Sequence, residues 1–281
     1  MPGQAEANRR LLQEGTLYVA RFDAAGGGEW VELRHGVNGL EAAAGFASQA
    51  DVLIDTRAAA DVVRATKMDR PEWIAVHPTT GEAYCTLTNN TQRGVSGAPG
   101  TDAANPRAGN AFGHIIRWRE RGGDAAATAF EWDVFVLAGD PEHTDPVKRG
   151  TIKGDAFGSP DGLWIDARGV LWIQTDVSTS ALHKGDYAPL GNNVMLAADP
   201  ASGTIRRYLT GPSGAEITGV ITTPDGRTMF VNVQHPGETA SERSDPANPT
   251  AVSAWPDGFE GGRPRSATVV IRRRDGGIIG G

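Results

Sequence analysis

Apolar and polar positions alternate along most of the chain in short runs that end at Gly, Pro, Asn or Asp, the period and punctuation of half-buried β-strands. One unit of this kind recurs three times: PEWIAVHPTTGEAYCTLTNN (71–90), PDGLWIDARGVLWIQTD (160–176) and EITGVITTPDGRTMFVNVQHPGE (216–238). Each copy predicts a β-hairpin, because PTTG, ARG and PDG supply the turn residues that short hairpin loops favour. A further strand pair follows the first copy (GHIIRW, FEWDVFVLAG) and the second (NNVMLAAD, GTIRRYLT), and one further strand, SATVVIRRRDGG, follows the third. Four antiparallel strands, repeated, form the blade of a β-propeller.

The repeat does not close on itself. Upstream, TLYVARFDAAGGGEWVEL (16–33) reads as the outer hairpin of a blade whose inner hairpin is absent. Two complete blades plus parts of two others fall short of the roughly four that a propeller needs. The expectation is therefore an all-β chain forming an incomplete β-propeller, the C-terminal blades of a larger one. Residues 16–281 form the partial propeller domain and residues 1–15 a disordered or poorly packed segment. Unpaired edges on such a fragment predict self-association, or a missing N-terminal half as partner.

Composition narrows the function classes. A formal net charge of -7 and a pI near 5.4 argue against a nucleic-acid binder, whose affinity rests on Lys and Arg neutralising phosphates. The acidic balance suits a hard cation instead. No apolar run approaches the ~20 residues of a membrane span, and the Arg9-Arg10 pair is followed by no apolar export segment, so the chain as written carries no export address. Cys85 is the one cysteine and lies inside a strand pattern, which reads as a buried structural thiol. The tryptophans at 73, 164 and 172 occupy strand positions and read as core. No G-x-S-x-G elbow, H-E-x-x-H, paired C-x-x-C or phosphate-binding P-loop is present.

Candidate chemistry comes from the hairpin geometry. The start of the first strand and the end of the second share one rim, and radial repetition turns the equivalent rims toward one channel. The first copy carries Arg70, Glu72, Asn89 and Asn90 there; the second carries Asp161 and Asp176; the third carries Glu216, His235 and Glu238. Converging carboxylates with amides are an oxygen-rich set of the kind calcium selects. An arginine beside them offers a planar donor fork to an anion such as phosphate, and the proline between Arg70 and Glu72 stiffens both. Blander readings stand alongside. An R-P-E tripeptide at a strand start also makes a solvated edge or a salt bridge, PDG is also a turn, and His114 and His235 also read as hydrogen-bonded structural histidines.

With these residues in view, MDRPEWIAVHPTTGEAYCTLTNN, NPRAGNAFGHIIRW, SPDGLWIDARGVLWIQTD and TPDGRTMFVNVQHPGE resemble the C-terminal half of the PhoX family of alkaline phosphatases, from about residue 16 to the end. The resemblance implies a six-bladed propeller-like hydrolase, exported by the twin-arginine route to the periplasm or outside the cell, that cleaves small phosphomonoesters with calcium and iron in its channel. It also implies that Glu72 ligates metal and that Arg70 contacts the phosphoryl group. The family's iron-ligating cysteine belongs to an N-terminal half this chain lacks, and Cys85 does not match it. The chain alone could then be inactive, and cytoplasmic as written. The alternatives are a calcium-dependent lactonase-type propeller and a non-catalytic truncated scaffold.

Overall fold

The computed structural model describes residues 9, 13–238, 246–258 and 262–280. Most of the segment expected to be disordered, 1–15, lies outside the described residues. The strands are β1 (Tyr18–Phe22), β2 (Gly27–Glu32), β3 (Pro71–Val76), β4 (Ala83–Leu87), β5 (His114–Glu120), β6 (Ala129–Leu137), β7 (Lys153–Gly154), β8 (Pro160–Ile165), β9 (Leu171–Thr175), β10 (Val194–Asp199), β11 (Thr204–Thr210), β12 (Glu216–Thr222), β13 (Thr228–Gln234) and β14 (Ala267–Arg272). Two short helices, α1 (Gln49–Ile54) and α2 (Thr56–Val62), interrupt an otherwise all-β chain. No helix among the described residues is long and apolar enough to cross a membrane.

The chain divides into two compact units, Met1–Lys67 with Glu120–Trp132, and Met68–Arg119 with Asp133–Gly281. In the first, β1 and β2 form the expected hairpin, and the start of β6 joins β2 through Glu29↔Ala129 and its neighbours. Asp23 shapes the turn by accepting hydrogen bonds from the N–H groups of Ala25 and Gly27. The helix pair was not foreseen. Its apolar positions Val52, Ala59 and Val63 are buried with Val31, Leu33, Leu40 and Phe46, and Ser48 caps α1 by accepting from the Asp51 N–H.

In the second unit the three predicted hairpins are β3-β4, β8-β9 and β12-β13, all antiparallel. Expected outer strands are present: β5 beside β4, β10 beside β9 with β11 beyond it, and β14 beside β13. The first strand of each hairpin packs on the next, β3 on β8 and β8 on β12. Between the first two sheets lies a core of Tyr84, Phe112, Ile115, Leu163, Ile173 and Leu196 with their neighbours. Trp172, Met195, Ile217, Val220 and Met229 form a second core with the third sheet. Trp172 is fully buried and Trp164 packs partly against the same core, but Trp73 is 40% exposed and is not core.

Polar stitches hold the first two hairpins in register. Thr86 Oγ1 on β4 donates to the Asp161 carbonyl at 2.7 Å, and Thr88 Oγ1 donates to the Pro160 carbonyl at 3.0 Å. Thr86→Val keeps the shape but strands the half-buried Asp161 carbonyl and the Trp73 N–H, so it is expected to cost about 1–2 kcal/mol. The midpoint of urea unfolding should fall while its slope stays constant.

Candidate active site

Three bulges open the rim. Each hairpin loses regular pairing near the start of its first strand, between Pro71 and Ile74, between Pro160 and Leu163, and between Thr218 and Val220. A bulge re-aims the side chains it carries, and here those include Glu72, Asp161 and Thr218. Gly162, beside Asp161, leaves room for the Gln174 side-chain amide, which a Cβ there would displace. That buried amide has no hydrogen-bond partner among the described residues.

A second local feature marks the same rim. Arg70, Ser159 and His235 take left-handed backbone conformations, with φ of 53°, 52° and 40°, and each precedes a proline. Side chains with a Cβ disfavour that region, and the residue before proline is normally held extended. Backbone strain of this kind persists where surrounding contacts over-determine it, and it gathers at functional sites. The sequence signal for this geometry is the X-Pro step that all three repeats carry, at Arg70-Pro71, Ser159-Pro160 and His235-Pro236.

The structure brings the carboxylates together. Asp161 is pushed up to about 7, first by burial and then by the charges of Glu216, Glu72 and Asp176, with Arg70 opposing. Asp176 is raised by burial against the pull of His235 and Arg70. Burial also raises Glu216, with Asp176 adding to it and His235 opposing. His235 Nε2 lies 3.5 Å from Glu216 Oε2 and its Nδ1 lies 3.4 Å from Glu238 Oε2, so it bridges two carboxylates. Gln234 donates to Glu216 Oε2 at 2.7 Å.

Arg70 stands at the edge of this group. Its Nη1 donates to Asn89 Oδ1 at 3.0 Å and its Nη2 lies 3.8 Å from Glu72 Oε1. Asn89 in turn donates to Ser159 Oγ at 3.2 Å, and Ser159 Oγ shares a 2.7 Å hydrogen bond with the buried Tyr187 hydroxyl. Asn90 faces elsewhere: its amide donates to Asp69 Oδ1 at 2.9 Å and its oxygen accepts from the Gln92 N–H. His114 is structural. Asn110 donates to its Nδ1 at 3.1 Å, and Nε2 pairs with the Ala104 carbonyl at 2.7 Å. Burial holds it down to about 4, hence neutral.

Whether these residues suit the two metals depends on donor chemistry. Glu72, Asp161, Asp176, Glu216 and Asn89 are an oxygen set, and burial and then the neighbouring carboxylates raise Asp161, the second of which a hard cation relieves. Among the described residues no three His, Cys, Asp or Glu side chains converge closely enough to hold one ion by themselves. The rim therefore fits calcium as part of a ligand set. Iron fits less well. Cys85 is buried in β4 with its thiol pushed up to about 12, by burial and then by Glu72, so it presents a neutral thiol.

Comparison with known proteins adds two findings. The family described as alkaline phosphatase PhoX matches residues 1–237. A solved structure of Pseudomonas fluorescens PhoX in complex with vanadate, a transition state analogue, is 48% identical and superposes with a TM-score of 0.88, aligning with 99% of this chain and 48% of that one. The chain thus spans about half the length of that relative. No curated protein matches.

Proposed function

Since the chain belongs to the PhoX alkaline phosphatase family, we propose that its rim is part of the active site of a metal-dependent phosphomonoester hydrolase. The observation that carries the reading is Arg70, a cationic fork held between Asn89 and Glu72 at the edge of a carboxylate cluster. Arg70 binds the phosphoryl oxygens through its N–H donors, which a rim of carboxylates alone would repel. Asn89 fixes the guanidinium, and Ser159 fixes Asn89. Glu72, Asp161, Asp176 and Glu216 line the rim, and those nearest the ion would supply part of a calcium ligand set that further donors complete. Calcium bound there supplies charge that screens the carboxylates and polarises the phosphoryl oxygens.

In this reading the successive sheets are blades of a six-bladed propeller, and 16–281 acts as one partial propeller domain. The remaining donors, including those for iron, come from the part of the fold this chain does not cover. The compartment implied is that of an exported enzyme. Family membership favours a small phosphomonoester over a sugar lactone as substrate.

Vanadate binding tests the proposal without requiring turnover. The chain is expected to take up vanadate by calorimetry in the presence of calcium, to release it with chelator, and to bind inorganic phosphate competitively. Hydrolysis of a chromogenic phosphomonoester at alkaline pH, with calcium and iron supplied, then shows whether the chain alone completes the reaction. A folded, calcium-loaded chain that ignores both anions would overturn the assignment.

A further inference from the structure

We propose that Asp69 is a positioning residue, which sets the direction of the Arg70 side chain through a buried network built by the 91–113 loop. The inference rests on reading Arg70 as the anion-binding group. Asp69 is fully buried, and its Oδ1 accepts from Arg93 Nε at 2.7 Å and from Asn90 Nδ2 at 2.9 Å. Its Oδ2 accepts from Asn110 Nδ2 at 2.9 Å, and its backbone N–H donates to Asn105 Oδ1 at 2.9 Å. Arg93 is equally buried.

A buried ion pair is weak as a source of stability, because desolvation offsets most of its attraction. Its value is in fixing one geometry. Here the fixed residue lies immediately before Arg70, and Pro71 lies immediately after it with its own φ locked. Between these two anchors Arg70 is held at φ 53°, its N–H donating to the Met68 carbonyl at 3.0 Å and its carbonyl accepting from the Thr88 N–H at 3.1 Å. Released from Asp69, a non-glycine residue before proline would relax to the extended region and swing its side chain away from Asn89.

The loop supplies a second line of argument. Arg93, Asn105 and Asn110 all come from 91–113, a connection far longer than hairpins need, and Asn90 adjoins it. The loop ties itself shut around them, with the Asn90 N–H donating to the Asn110 carbonyl at 2.7 Å and the Gly109 N–H to the Arg93 carbonyl at 2.8 Å. Arg93 and Asn110 both donate to the Asp69 carboxylate. Their common target is the residue that precedes Arg70.

The test reads Arg70 directly. In chain labelled with nitrogen-15 arginine, the Arg70 Nε–H resonance is assigned by its loss in Arg70→Lys, and inorganic phosphate is titrated in the presence of calcium. Asp69→Asn is expected to move that resonance to the position of a free guanidinium and to weaken phosphate at least tenfold. It should add nothing to the loss already caused by Arg70→Lys. If Asp69→Asn does not fold, Asn110→Ala, which keeps the Asp69–Arg93 pair, should produce a smaller shift of the same resonance. A folded variant whose Arg70 resonance stays in place overturns the proposal, as does an additive loss in the double variant. Wild-type chain that binds no phosphate would sink the phosphatase reading, while the resonance alone still decides whether Asp69 positions Arg70.

Discussion

Glu72→Ala is expected to abolish the rise in melting temperature that calcium gives the chain, whereas Arg70→Ala keeps that rise and loses the anion. The two side chains are one proline apart and within 3.8 Å of each other, yet in the proposed reading they serve opposite halves of the chemistry. Glu72 is a charge felt by Asp161. If Glu72 ligates the cation as proposed, removing it takes away a ligand and lowers the local negative charge, so cation affinity falls for both reasons. At calcium concentrations near the wild-type dissociation constant, the stabilisation by mass action then disappears. Arg70 carries the opposite charge and opposes the rise of Asp161, so its loss does not weaken the cation site. What it removes is a charge-assisted hydrogen-bond donor, on the order of 1.5–3 kcal/mol and hence about tenfold to a hundredfold in phosphate affinity. Paired calcium and phosphate titrations of the two variants check this. Equal loss of both ligands in both variants would show that the tripeptide acts only as structure.

The strand order of this site was legible because β-hairpins advertise themselves. Alternation, turn glycines and the recurrence of one unit place β3-β4, β8-β9 and β12-β13, and rim equivalence puts Glu72, Asp161, Asp176 and Glu216 near one another, in line with the charges that Asp161 feels. What stayed hidden depends on backbone geometry and distant contacts. The bulge at Asp161–Gly162 is invisible to a period-two pattern, and the left-handed turns at Ser159 and His235 look like any other X-Pro step. Asn90 sits beside Asn89 in sequence but turns to Asp69, since adjacent residues at a strand end face opposite sides. A strand pattern predicts a core Trp73 because large aromatics are usually buried, but it lies on β3, an end strand of its sheet, and stays exposed. Helices α1 and α2 were missed because a short helix held by tertiary packing has little periodicity of its own to show.

The second large effect is a stability difference that depends on pH and on calcium. Folding raises Asp161 from its ordinary 3.8 to about 7, so the native state holds a proton that the unfolded chain has released. The stabilisation is complete below about 4 and is lost as pH rises through 7. His114 runs the other way. It is lowered from 6.5 to about 4, so its contribution is present above 6.5 and lost as pH falls toward 4. The two slopes oppose each other between pH 4 and 7, but Asp176 and Glu216 are also raised and add to the slope of Asp161, so the calcium-free chain should lose stability as pH rises through this range. Asp161→Asn separates them. With no calcium, the variant is expected to match wild type at pH 4 and to exceed it at pH 8 by about 2 kcal/mol, a figure already reduced for partial solvent screening. Calcium should reverse the order at pH 8, stabilising wild type and leaving the variant nearly unchanged, because only an ionised Asp161 repays the cation. Urea unfolding of both proteins at the two pH values, with and without calcium, measures all of these differences. If wild type remained as stable as Asp161→Asn at pH 8 without calcium, the carboxylates would not be crowded at this rim, and the cation site drawn from them would fall with that result.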